Sequence, residues 1–165
     1  MYLKIAQFIS IMLIALVMGV FWGTWFTLGQ SITFFAPETF LAIGQAIIRN
    51  VAPIMPILTT LAIVSTLPIL FLLPQKRSMP FYLTALGFLL ILAATLITVL
   101  IEVPIDNQIK VWTPSSLPSD WQAIRDRWEF YHTVRSFVSI GSLASIVAGA
   151  LLPPLHAPAN DQRPR

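Results

Sequence analysis

The residues able to do chemistry are concentrated between Glu102 and Arg135. This stretch holds four of the chain's ten Lys and Arg, five of its seven Asp and Glu, one of two His and three of five Trp. Within it, Trp121, Arg125, Trp128, His132 and Arg135 are spaced 4, 3, 4 and 3 apart, which puts all five on one face of an α-helix. Asp126, Arg127 and Glu129 fall off that face and are expected in solvent. Histidine is the side chain suited to proton transfer near neutrality, so His132 is the candidate general base. Arg125 and Arg135 beside it would stabilise negative charge developing on a substrate. Glu102 ends a long apolar run, where a carboxylate either reaches water or faces inward to a partner. Facing inward, it would pair with Arg125 or Arg135, or bond His132. A purely structural role, a salt bridge tying the third span to the fourth, fits the same residue. Trp112, Trp121 and Trp128 offer flat apolar walls for a ring, although Trp also gathers at membrane interfaces as an anchor. A metal on His132, Glu102 and Asp106 lacks an established ligand spacing, and haem on His132 alone has no further support.

The elements that must position these groups are membrane spans. The 165 residues are 56% hydrophobic and 10% charged, far from the roughly one-quarter charged fraction of soluble domains. With no cysteine there is no disulfide, thiolate metal site or cysteine nucleophile. The net charge of +3 comes from scattered cations without the dense basic stripe that a phosphate backbone requires, so nucleic acid is not an expected partner.

Four apolar stretches, about 5–28, 51–73, 80–101 and 133–152, are each long enough to cross roughly 30 Å of hydrocarbon. The first is read as a retained span, since it exceeds the apolar length of a signal peptide and no small-x-small cleavage site follows it. Thr39 to Arg49 reads as a short interfacial helix. Pro53 and Pro56 fall in the first turns of the second span, while Pro68 lies deeper and should kink it, opening room beside it. Pro104 suits the first position of a separate short helix carrying Ile105, Ile109 and Trp112 on one side. Ser119 and Gln122 match a capping box, so a fourth helix should run from Ser119 to about Leu152, its first turns outside the lipid. Pro153 and Pro154 would stop it. The expected architecture is all-α: one membrane domain over residues 1–155, a four-transmembrane-helix bundle with a helical cap over 102–132, then a disordered polar tail over 156–165.

Four spans put both termini and the Lys76–Arg77 turn on one side. The cations divide five against five, and the pair flanking two spans closely tips the reading toward cytoplasmic termini and an extracytoplasmic cap in the plasma (inner) membrane. Gly19 and Gly23 form a G-x-x-x-G that permits close packing within the bundle or in a homo-oligomer. Phosphate loops, nucleophile elbows and internal repeats are absent from the sequence.

Glu102-Val103-Pro104-Ile105-Asp106-Asn107, followed by Trp112, Asp120-Trp121, Arg125, Arg127-Trp128, His132 and Arg135, resembles the signature of the anthrone oxygenase-like family of small four-span membrane proteins. Gln45, Asn50 and Pro53 resemble its polar pattern before the second span. The resemblance implies a four-helix bundle and, for fungal members, insertion of oxygen into a polycyclic anthrone without a recognised cofactor. On that reading His132 removes an acidic C–H proton, Arg125 or Arg135 holds the enolate, and the carbanion reacts with oxygen directly. Glu102 supports them, and Trp112, Trp121, Trp128, Asn107, Gln45 and Asn50 line the substrate site. The family pattern often has Asn after Val-Pro-Ile, where this chain has Asp106 with Asn107 beside it.

Three readings therefore compete. One is an oxygenase acting on a hydrophobic aromatic or phenol. Another is a protein that binds an apolar ligand such as a quinone or lipid without converting it. The third is a subunit whose polar stripe docks a partner through Arg125 and Arg127.

Overall fold

A computed structural model describes residues 1–152. The expected stop at Pro153–Pro154 and the polar tail lie outside the described residues. Among the described residues the chain is all-helical, with four helices long and apolar enough to cross a membrane. Helix α1 spans Tyr2–Thr24 and continues as a π-helical turn over Trp25–Gly29. A short 3-10 turn, Ile32–Phe34, leads into α2, Pro37–Val51. Its first turn holds Pro37 and Glu38 and its last turn Arg49, a residue order that suits both the fixed φ of proline and the helix dipole. Phe40, Leu41, Gly44 and Ile48 form its buried face. Helix α3 runs Met55–Leu72 with Pro56 in the first turn and Pro68 inside it. Pro68 is exposed, on the outward side of the helix.

The third span differs from the expected pair of helices. Helix α4, Met79–Ile97, passes through a π-helical turn, Thr98–Glu102, directly into α5, Val103–Ile109. Proline explains the slip. Pro104 has no N–H to give, and just before it the Val103 N–H bonds Thr98 O five residues back rather than four. Helix α6, Trp121–Leu151, is a single run of 31 residues, about 46 Å long. It begins two residues later than expected. Asp120 is the N-cap without a side-chain cap bond, so the Ser119–Gln122 capping box does not form. Backbone turns satisfy the local donors instead, with Trp121 N–H on Pro118 O at 3.1 Å and Ile124 N–H on Asp120 O at 3.2 Å.

Helix α1 packs on α3 and α6, and α4 packs on α6 and α3, closing the ring of four. The core between them centres on Ile14, Val17, Ala62, Ile69, Ile91 and Ile146. The α4–α6 seam is the close one: a Cβ on Gly87 would run into Ile146, and one on Gly149 would stand 3.1 Å from Pro80 O. Ser142 Oγ donates to Gly87 O across this seam at 2.7 Å. In contrast, a Cβ on Gly19 or Gly23 would meet nothing within 4 Å, so the G-x-x-x-G does not pack inside the bundle. A second core, with Ile32, Phe40, Ile48, Ile105, Ile109 and Trp128, seals the end where α2, α5 and the start of α6 meet. Gln45 Nε2 locks this cap by donating to Ile109 O at 3.0 Å and Trp112 O at 2.9 Å, carbonyls at the end of α5 and in the turn that follows it. Large apolar side chains such as Phe8, Val64, Phe71 and Leu89 point outward from the spans, as lipid contact requires.

Candidate functional site

The 3.6-residue period of α6 turns Trp128, His132 and Arg135 inward at the level where the two cores meet, and all three are buried. The π turn of α4 delivers Glu102 to the same level, fully buried. Glu102 Oε2 lies 2.9 Å from Arg135 Nη2. The pair is a charge contact out of line for a hydrogen bond, and Glu102 Oε1 has no hydrogen-bond partner. Arg135 is held from four sides. Its Nη1 donates to Thr98 Oγ1 at 3.1 Å, its Nε and Nη2 reach His132 Nδ1 at 3.3 and 2.7 Å, and its guanidinium stands 4.5 Å from the Phe21 ring centroid.

His132 is fixed equally tightly. Its Nε2 is 3.2 Å from Phe21 O. A carbonyl only accepts and a guanidinium only donates, so the ring is the Nε2–H tautomer with the Nδ1 lone pair turned to Arg135. Trp128 stacks on it, centroids 5.5 Å apart and planes at 16°. Trp128 Nε1 donates in turn to Asp106 Oδ1 at 3.0 Å.

These groups face a cavity of about 280 Å³. Its apolar wall includes Val20 and Phe21 of α1, Ile48 and Val51 of α2, and Met55 and Val99. Asp106, Lys110, His132 and Arg135 are the ionisable residues in its lining, and Thr24, Thr59, Thr95 and Thr98 add hydroxyls. On α3 the cavity is lined by Pro56 and Thr59, at the opposite end of the helix from Pro68, so the room expected beside that proline is not where this cavity lies.

Of the sequence-predicted residues, His132, Arg135 and Trp128 line the cavity, and Glu102 supports Arg135 without lining it. The others lie elsewhere. Arg125 is buried but bonds Asp126 Oδ1 and Thr33 O and stacks over Trp121, which fastens the α1–α2 connection to α6. Trp121 packs on Phe40, and Trp112 joins the same cap core. Gln45 is the cap lock. Asn107 is exposed and accepts from Lys110 at 3.1 Å, and Asn50 is exposed. Glu129, expected in solvent, is half-buried against the π turn of α1. It accepts from Thr133 at 3.2 Å, and a Cβ on Gly29 would strike its carboxylate, so glycine makes this fit possible.

Sequence reasoning left Asp106, Thr98 and the Phe21 carbonyl out of the site. Asp106 was readable in principle, because it follows Glu102 at i+4 and shares its face. A backbone carbonyl carries no sequence signal. Among the described residues, no three His, Cys, Asp or Glu side chains gather as a metal ion needs. Both His132 nitrogens are engaged, which does not fit an axial haem ligand.

An apolar four-helix bundle with a cavity lined by charged residues is the architecture of a membrane protein. The model of the anthrone oxygenase family matches residues 40–145, well over half the chain, and the chain belongs to that family. No curated protein and no solved structure matches it. The family match runs from α2 into α6, so the carbonyl that orients His132 comes from a helix outside the matched stretch.

Proposed function

We propose that this protein is a membrane oxygenase that converts a compact, flat, hydrophobic phenol or aryl ketone of the anthrone type, holding it in the cavity beneath the cap. The supporting observation is the cavity itself: about 280 Å³ of largely apolar space with Asp106, His132 and Arg135 converging on one end. That volume lies at the lower edge of the roughly 300–1,000 Å³ usual for small-molecule sites, which suits one fused-ring molecule better than a two-chain lipid. Removal of an acidic C–H proton leaves an enolate, whose oxygen would meet the Arg135 Nη1 hydrogen not used by Thr98. Glu102 keeps that guanidinium in place. The carbanion and oxygen form a hydroperoxide. Loss of the second C–H proton with cleavage of the O–O bond gives the ketone and water, so one CH₂ and one O₂ become one C=O and one H₂O.

In the same reading the termini and the Lys76–Arg77 turn face the cytoplasm and the cap lies outside the plasma (inner) membrane. The cationic turn flanking two spans supports that orientation.

Engagement of both His132 nitrogens favours a second reading, an apolar-ligand binding protein that performs no conversion. Anthrone supplied to the detergent-purified protein under isotopically heavy oxygen separates the two. The oxygenase places the heavy isotope in the new carbonyl above the background with heat-denatured protein. A bound but unconverted anthrone would leave only the second reading.

A further inference from the structure

We infer that Asp106, and not His132, is the group that accepts the substrate's proton; the inference rests on the proton-removal chemistry proposed above. A general base must present a lone pair to the reacting C–H. Four ionisable residues line the cavity. Arg135 and Lys110 are donors. His132 has given its Nε2–H to Phe21 O and its Nδ1 lone pair to Arg135, whose contacts with Thr98 and Glu102 hold it there. The imidazole therefore meets the cavity with carbon edges and a ring face.

Asp106 is different. One oxygen, Oδ1, accepts the Trp128 indole N–H at 3.0 Å, and the other, Oδ2, has no such bond. A single anchoring bond to a buried, stacked ring orients the carboxylate and leaves Oδ2 lone pairs for the substrate. The neighbouring residue cannot take the role, because Asn107 points out to Lys110 and lacks a basic oxygen. In the balanced step, Asp106 Oδ2 takes the first C–H proton and the electron pair stays on substrate, spread to the oxygen facing Arg135. His132 is then a positioning residue, the strut that aims Arg135, and Trp128 is the strut that aims Asp106.

The test uses the full-length protein in detergent with anthrone as the probe. Deuterium uptake at its acidic carbon is measured in heavy water without oxygen, oxygen consumption is measured separately, and binding is followed by thermal shift. Asp106→Asn keeps an acceptor for the Trp128 N–H while removing the base. It should bind anthrone as wild type does and lose at least about a hundredfold in both exchange and oxygen consumption. Asp106→Glu, which moves the carboxylate by one methylene, should bind anthrone and exchange more slowly by about tenfold or more, and it serves if the Asn variant does not fold. Wild-type exchange in either variant overturns the inference. So does a wild-type protein that consumes oxygen without exchanging the proton. Exchange that depends on Asp106 without oxygen consumption sustains the base assignment and removes the oxygenase reading, and a wild-type protein that does neither removes both.

Discussion

Arg135 is the residue through which the site communicates. It touches His132, Thr98, Glu102 and the Phe21 ring, joining α6 to α4 and to α1. A buried ion pair of this kind is weak evidence for stability as a pair, because desolvation opposes attraction, yet losing one partner strands the other. Arg135→Leu leaves the fully buried Glu102 carboxyl without its partner, and should destabilise the bundle by about 3–5 kcal/mol in a reversible detergent unfolding titration. The double variant with Glu102→Leu should recover most of that loss while still failing to turn over anthrone. The helical stripe made Trp128, His132 and Arg135 legible as one group, since spacing alone fixes a shared face. Spacing did not show which members share the cavity. Arg125 obeys the same period as Arg135 and is also buried, but three turns nearer the N-terminus of α6 it meets Thr33 and Asp126. Similarly, the i+4 spacing from Glu102 separates Asp106 from Asn107 only if one helix carries both acids. The fixed direction of α5 decides which of the two faces in.

At the scale of elements, the π turn of α4 sets that direction. The spans themselves were readable because about twenty apolar residues in a row have few alternatives to crossing a bilayer. The π turn was not, since a one-residue slip in hydrogen bonding leaves the hydropathy unchanged; Pro104 marks the first turn of α5 but says nothing of its unbroken join to α4. Inserting one alanine between Glu102 and Val103, just after the turn, adds a helical residue and should rotate the rest of α5 by about 100°. Membrane insertion should survive, but thermal stabilisation by anthrone should vanish as Asp106 leaves the cavity and Ile105 and Ile109 leave the cap core. The α4–α6 seam is the second element-level device. Gly87→Leu should lower stability by about 1–3 kcal/mol through overpacking against Ile146 and the Ser142 carbonyl, whereas Gly19→Ala, with open space around its Cβ, should leave the melting temperature unchanged or raised.

The two ends of the bundle differ. Its charged chemistry is gathered where α2, α5 and the start of α6 cover the spans, and its opposite end is tied by contacts such as Lys76 Nζ on Leu70 O at 2.6 Å. Because the chain has no cysteine, single cysteines report sidedness without background. Ser115→Cys in the cap should react with a membrane-impermeant maleimide in intact cells, and Arg77→Cys only after permeabilisation; the reverse pattern would invert the proposed orientation. The central claim, that an aromatic substrate is oxidised inside this cavity, is tested most directly by oxygen uptake with anthrone in wild type and Thr59→Phe side by side. Thr59 is a buried wall residue on α3, and a phenyl ring there would occupy cavity space that the substrate needs. Wild type should consume one oxygen per anthrone and the folded Thr59→Phe protein none above background. Equal uptake by both would place the chemistry somewhere other than this cavity, and no uptake by wild type would contradict the oxygenase altogether.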